Sequence, residues 1–293
     1  IERLHSAPMS AFTPSSIAFS IGPVNVYYYG LCYAFGLLLA GWVIAREARR
    51  RGLAVDELAN GMIVVSIAAV IGGRLYHVID QWENLYAADP LRVILPPYTG
   101  LGAYGGIITG TIVGILWIRH RHQPLLPWVD AIAPGIFAMQ FVGRWGNFFN
   151  QELYGLPTDL PWGLAIDCAH RTVSTSCGAI GESARFHPLF LYESLSGLAG
   201  ALTLPALGER LKGRIVPGLI GLTAVAWYAV TRLALEGLRL ENWKVGGVPT
   251  AYLVMGAVLL ITLFVAAMRV RSAVQPTPRR RSRTTMRRKR RRI

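Results

Sequence analysis

Arg144, in FVGRWGNFFNQELYG (141–155), and Arg232, in VAWYAVTRLALEG (225–237), are guanidinium groups set inside apolar helical sequence. Ionisable side chains at hydrocarbon depth are costly, so they are rare and usually serve a function. Arginine carries a planar fork of donors that fits a phosphate or carboxylate at two points at once. Two such residues predict a membrane-embedded site for an anionic headgroup. Around Arg232 the spacing adds further chemistry. Tyr228, Arg232 and Glu236 stand at i, i+4 and i+8, about 40° apart per step on a helix of about 3.6 residues per turn. One face therefore offers a phenol, a guanidinium and a carboxylate in line. The structural alternative is an Arg232–Glu236 ion pair that joins helices, which is a costly joint inside a membrane.

The neighbours of Arg144 also have a usable pattern. Gly143 and Gly146 allow close backbone approach, and Asn147, Asn150 and Glu152 follow within two turns. The cluster falls where the apolar run ends. Arg144 by itself would suit snorkelling to the interface; the glycines and asparagines together favour a site. In YYYGLCYAFG (27–36) an aromatic stripe suits an interfacial belt, while Tyr29 beside Gly30 suits a hydrogen bond into a cavity. GGRLYHVID (72–80) sets Arg74 and Asp80 near a membrane surface, with His77 between them. In GLGAYGG (100–106), Tyr104 stands among glycines that fit tight helix packing or a broken helix. HPLFLYES (187–194) places Tyr192 and Glu193 inside an apolar run. A buried Glu193 requires a partner, and an arginine is the natural one. His187 is the imidazole best placed for proton transfer near neutral pH, with helix-entry packing as its alternative.

These groups need long apolar helices to carry them, and the composition provides for that. Of 293 residues, 53% are hydrophobic and 16% charged, against about 25% charged in an average soluble domain. Apolar runs at about 24–45, 59–79, 101–118, 128–146, 187–207, 215–238 and 248–268 suit a hydrocarbon core roughly 30 Å thick. The reading is an all-α polytopic membrane protein with seven transmembrane helices. Basic clusters follow the first, third, fifth and seventh runs (Arg46 to Arg51, Arg119 and Arg121, Arg210 to Arg214, and the tail). The positive-inside rule then puts the N-terminus outside and the C-terminus in the cytoplasm.

The organisation expected is an N-terminal extracytoplasmic segment at 1–22, a seven-helix catalytic domain at 23–268 and a basic tail at 269–293. The longest loop, 147–186, carries Gly155, Pro157, Pro161 and Gly163 and should form a turn-rich extracytoplasmic cap. Cys168 and Cys177 lie in it, either bridged or as two free thiols. With Cys32 they make no metal-ligand spacing. Twelve positive charges and no acidic residue lie from Arg269 onward, so the rest of the chain holds only +2 of the net +14. Such a tail serves topology and anionic membrane lipid. Nucleic acid is not expected, because no aromatics interleave the basic run. Residues before Met9 read as an upstream extension, and no basic segment leads the first apolar run as a cleavable signal peptide would require.

PVNVYYYGLCY, GGRLYHVI, GLGAYGG, GRWGNFFNQELYG, FHPLFLYES and WYAVTRLALEGLR follow one another over about residues 22–240. In that order they resemble the bacterial prolipoprotein diacylglyceryl transferase family, and the GRxGNFxNxExYG block is the specific part. The resemblance implies transfer of the diacylglyceryl group of phosphatidylglycerol to the lipobox cysteine thiol in the signal peptide of a preprolipoprotein. Glycerol-1-phosphate leaves, and no metal or organic cofactor takes part. It also implies a multi-pass protein of the bacterial plasma membrane with seven spans, N-terminus out and C-terminus in. Arg144 and Arg232 match the family's essential arginines. Asn147, Glu152, Gly155, Tyr29, Tyr228 and Glu236 match its other important positions, and Arg74, Tyr104, His187 and Glu193 complete the residues expected around substrate.

One position departs from the pattern: Tyr104 stands before Gly105 and Gly106 where many members have a histidine. That histidine's suggested role as thiol base does not carry over, which leaves Glu236, His187 or the substrate phosphate to take the proton. The actinobacterial-type branch similarly has an aromatic residue there, and the long basic tail fits that branch. Two other classes compete with this reading. A transporter of a small anion or lipid headgroup would predict internal repeats and charge at the bilayer centre, and no repeat of 20–50 residues is found. A lipid phosphatase would predict basic, Ser- and His-containing signatures that are not evident.

Overall fold

The computed structural model describes residues 14–94, 100–240 and 242–274. Among them are seven helices of 18 to 25 residues: α1 (Tyr28–Arg50), α2 (Leu58–Asp80), α3 (Ala103–His120), α4 (Leu125–Phe149), α6 (Leu189–Arg210), α7 (Leu219–Glu236) and α8 (Thr250–Val274). A single turn, α5 (Cys177–Ile180), lies in the loop between α4 and α6. At about 1.5 Å per residue the long helices measure roughly 27–37 Å, near the thickness of a bilayer core. Five of them, α1, α2, α4, α7 and α8, are both long and apolar enough to cross a membrane. The other two are as long, but glycine, serine and threonine dilute them and charges close their ends.

The apolar runs expected from sequence correspond to these helices, with two instructive shifts. The first run does not begin as helix. Val24–Tyr27 forms β2, antiparallel to β1 (Ile17–Ile21) across a turn at Gly22, whose φ is +58°. Valines at 24 and 26 favour an extended chain, and helix starts only at Tyr28. The fourth run extends at both ends. Pro124 occupies its N-cap in an extended conformation, and the helix continues to Phe149.

Helix α4 is the hub. It packs against α1, α6 and α7. A lipid environment offers no hydrophobic gain for helix contact, so close backbone approach must replace it. A Cβ on Gly135 would meet Ala40 O at 3.0 Å. One on Gly197 would meet Phe141 N at 2.8 Å and Phe137 O at 3.0 Å. Around these seams, Ala40, Ile44, Ala48, Trp128 and Ala131 are buried on one side of α4, and Phe137, Leu204, Ile220 and Ala224 on the other.

Polar bonds then set the register. Buried Asp130 of α4 accepts from Gly218 N at 2.7 Å and Gly221 N at 2.9 Å, so it caps the start of α7, where the helix dipole favours a negative charge. At the same end of the bundle, buried Glu47 of α1 binds Arg50 at 2.7 Å and Arg51 at 2.6 Å, and Arg50 also pairs with Glu209 of α6. Helices α2 and α3 form a separate pair that packs mainly on itself. Thr109 Oγ1 donates to Ala68 O at 3.0 Å inside it, and Glu57 pairs with Arg121 across its end.

After α4 the chain folds into the cap. Strand β3 (Leu164–Ala165) pairs with β4 (Arg185–Phe186) over a small core of Tyr154, Ile166 and Phe186. Cys168 and Cys177 are bridged, with Cα atoms 5.5 Å apart. A last hairpin, β5 (Lys244–Val245) with β6 (Val248–Pro249), precedes α8. The basic tail from Pro276 and the stretch around Met9 lie outside the described residues.

Gly197→Ala should destabilise the protein by about 1–3 kcal/mol, because its methyl meets backbone that has no rotamer by which to yield. Thermal unfolding in detergent reads this; an unchanged midpoint would show that the α4–α6 seam is looser than described.

Candidate active site

The last turn of α4 and the bend after it carry most of the site. Arg144 Nη2 pairs with Glu193 Oε2 at 2.6 Å, and its Nη1 donates to Asn147 Oδ1 at 3.4 Å. Glu193, near the start of α6, is only 4% exposed. Its other oxygen accepts from Arg239 Nη2 at 2.8 Å. One buried carboxylate thus lies between two guanidiniums, and the three groups carry a net charge of about +1 at neutral pH. Asn147 Nδ2 donates to Glu152 Oε1 at 3.2 Å, and Asn150 Nδ2 donates to the same oxygen at 3.1 Å. The network therefore runs unbroken from Arg239 through Glu193, Arg144 and Asn147 to Glu152.

The bend that presents Glu152 is strained. Gln151 and Leu153, on either side of it, have φ of +53° and +58°. Side chains other than glycine rarely adopt this conformation; it costs on the order of 1–3 kcal/mol each and persists only where the surroundings impose it. Here they do. The buried Gln151 side chain donates to Asp167 Oδ2 at 2.7 Å and accepts from Asp167 N at 2.8 Å. Leu153 O accepts from Phe190 N at 3.0 Å, and Glu152 N donates to Asn147 O at 2.9 Å.

Tyr29, in the first turn of α1, lies against Gly146. A Cβ there would be 3.2 Å from Tyr29 Cα. The phenol donates to Tyr33 OH at 3.2 Å and lies within electrostatic reach of both Glu152 and Arg144. A cavity of about 390 Å³ opens beside it, lined by Val26, Tyr27, Tyr29, Gly30, Leu31 and Asn150. Tyr29 thus lines the cavity, while its hydroxyl hydrogen is given to Tyr33.

On α7, Arg232 pairs with Glu236 one turn later. The pair lies within one helix and so does not join helices. Glu236 is buried, and its backbone oxygen accepts from Asn242 Nδ2 at 3.3 Å. Tyr228, on the same face, is 42% exposed. The two arginines singled out by sequence are thus held by different carboxylates, Glu193 and Glu236.

Gly155 connects the α4 bend to the segment after α7. It forms a bridge with Arg239, and Leu156 N donates to Leu238 O at 2.8 Å. Gly155 N donates to His187 O at 2.8 Å. The His187 ring meets Tyr192 OH through Nδ1 at 3.2 Å, and that hydroxyl accepts from Trp162 Nε1 at 2.8 Å.

A profile of the family described as prolipoprotein diacylglyceryl transferase matches residues 16–271. The chain belongs to this family. It is 36% identical over 236 residues to the phosphatidylglycerol–prolipoprotein diacylglyceryl transferase of Bifidobacterium adolescentis, covering 78% of this chain and 70% of that one. To transferase 2 of Streptomyces coelicolor it is 36% identical over 244 residues, with 79% and 75% covered. To the enzyme of Parasynechococcus marenigrum it is 35% identical over 242 residues, with 82% and 85% covered. Membership in a transferase family displaces the transporter and phosphatase readings.

Two residues expected around substrate lie on the α2–α3 pair and its connection. Arg74 donates to Gly100 O at 3.5 Å, Arg92 O at 3.2 Å and Val93 O at 3.4 Å, and lies over the Tyr86 ring; among described residues it organises the connection between α2 and α3. Tyr104, 68% exposed, packs its ring 6.0 Å from that of Tyr76 within the same helix pair. Two residues were missed. Arg239 lies just past the last apolar residue of its run, although its spacing of seven from Arg232 was a usable signal. Gln151 carried no sequence signal, because only the backbone shows the strain it restrains.

Gly155→Ala tests how tightly the site is tied together. The added methyl would lie 2.5 Å from Leu238 O and 3.2 Å from His187 Cβ. Loss of about 1–3 kcal/mol of stability is expected, with activity falling further than stability because Arg239 is displaced. Equal loss of both, measured by thermal unfolding and turnover, would count against this link.

Proposed function

We propose that this chain moves the diacylglyceryl group of phosphatidylglycerol onto the lipobox cysteine of a preprolipoprotein, forming a thioether and releasing glycerol-1-phosphate. The observation that carries the reading is the net-positive arginine–carboxylate network around buried Glu193 at the end of α4, in a chain of this family.

The thiol sulfur attacks the glyceryl carbon that bears the phosphodiester. The carbon–oxygen bond breaks, and the electron pair leaves with the phosphate oxygen. Negative charge grows on that phosphate, and Arg144 and Arg232 are the groups proposed to bind it and stabilise the departing charge. A cysteine thiol titrates near 8.5, so positive charge nearby raises its reactive fraction. Its proton has three acceptors of suitable chemistry: Glu236, His187 and the substrate phosphate. Asn147, Glu152, Tyr29 and Tyr228 shape the pocket around the headgroup, and Gly155 closes the backbone beside it.

The seven long helices are read as seven crossings of the bacterial plasma membrane, with the N-terminus outside and the tail in the cytoplasm. Basic residues close α1, α3, α6 and α8, and the Glu47–Arg50–Glu209 cluster joins two of those ends. The positive-inside rule makes that end cytoplasmic, which puts Arg144, Tyr29 and the cap at the outer surface. A disulfide in the cap suits such a compartment. The basic tail is assigned to anionic lipid at the inner surface.

The test is to incubate pure protein with phosphatidylglycerol and a lipobox peptide and to look by mass spectrometry for a thioether-linked lipopeptide. Absence of product from folded protein would reject the proposal. Arg144→Lys and Arg232→Lys keep the charge but lose the fork, and each should lower turnover by roughly 10²-fold or more. A folded Arg232→Ala protein at near wild-type rate would remove Arg232 from the clamp. Deleting residues 276–293 should leave turnover in detergent unchanged; complete loss in a folded deletion would overturn the tail's assignment.

A further inference from the structure

Resting on the transferase reading, we propose that Arg239 is a positioning residue: it takes up half of the Glu193 charge so that Arg144 keeps a net positive charge for the headgroup phosphate. Glu193 is a difficult neighbour for an anion-binding arginine. It is buried, and it holds Arg144 at 2.6 Å. Arg144 and Glu193 alone would form a neutral pair with a carboxylate already in place of the phosphate. Arg239 changes that balance. It arrives from the segment after α7, on a different element from either partner, and holds the second carboxylate oxygen at 2.8 Å.

Two further observations support the assignment. Arg239 is fixed from behind by its bridge to Gly155, so its guanidinium approaches Glu193 from a backbone that cannot drift. The Nε atoms of Arg144 and Arg239 are both buried and have no hydrogen-bond partner among the described residues. Arg239 spends one Nη on Glu193 and makes no other side-chain hydrogen bond among the described residues, whereas a purely structural strut would be expected to use more of its donors. The arrangement leaves net positive charge beside Asn147, at the point where the phosphate is proposed to bind.

The decisive experiment is a charge rescue on the full chain, read as KM for phosphatidylglycerol in mixed micelles with a lipobox peptide. Arg239→Gln leaves Glu193 to Arg144 alone, and KM should rise by about tenfold or more. Glu193→Gln added to Arg239→Gln removes the competing carboxylate and should return KM to within about threefold of wild type. Arg239→Lys, which keeps the charge, should stay within the same range. A strut predicts the opposite: the double variant as poor as Arg239→Gln or worse. That result, or an unchanged KM in Arg239→Gln, overturns the proposal. Should Arg239→Gln not fold, Glu193→Gln is compared with the double variant; equal KM supports charge sharing, and a higher KM in the double variant rejects it. Arg144→Ala separates the two levels of the argument. If it remains active the phosphate clamp itself is wrong, whereas if it is inactive and rescue fails only the role of Arg239 falls.

Discussion

A carboxylate buried among apolar helices must be matched by positive charge, and in this molecule Glu193 is matched twice. Arg144 comes from the end of α4, Arg239 from the segment after α7, and Glu193 itself from the start of α6. Three elements distant in sequence are thereby held to one point. The bond has a chemical consequence besides its mechanical one. Two guanidiniums against one carboxylate leave positive charge where water is scarce, and charge acts over longer range there than in solution. The proposed phosphate binding and the bundle's register thus depend on the same ion triad.

The rest of the bundle serves to hold that point still. Glycines let α1 and α6 approach the backbone of α4, so the hub presents Arg144 and Asn147 from a rigid helix end. Asp130 caps α7 and so sets the height of Arg232 and Glu236 against the same hub. Beyond α4 the backbone takes two left-handed residues around Glu152, and the cap holds them there through Gln151 and Asp167. The disulfide at Cys168, next to Asp167, makes the cap a brace for the site as well as a cover. Helices α2 and α3 stand apart from this construction and pack mainly on each other. Arg74 lies on α2 and Tyr104 on α3, and the bonds described for Arg74 reach the segment that connects them.

Much of this was legible from residue type and spacing. An arginine in an apolar run is conspicuous, and so is a glutamate; Arg144, Arg232, Glu193 and Glu236 could all be named for the cost of burying their charge. Helical periodicity put Arg232 and Glu236 on one face, and they pair there. The partner of Glu193 was not legible, because pairing across helices depends on how they pack. Sequence spacing says nothing of a contact 46 residues away. Val24–Tyr27 is extended even though it begins an apolar run, since hydropathy does not distinguish a membrane helix from a strand leading into one.

The sequence by itself determined that the chain is built of long apolar helices, which charged residues fall inside them, and that it resembles one transferase family. Each of these follows from local composition or from an ordered set of short motifs. Only the tertiary structure decided that Arg144 and Arg232 have different carboxylates, that Arg239 shares the first of them, that the two cap cysteines are bridged, and that Gln151 restrains a strained bend. Those outcomes depend on distances between segments remote along the chain, and such distances are set by how helices pack around α4.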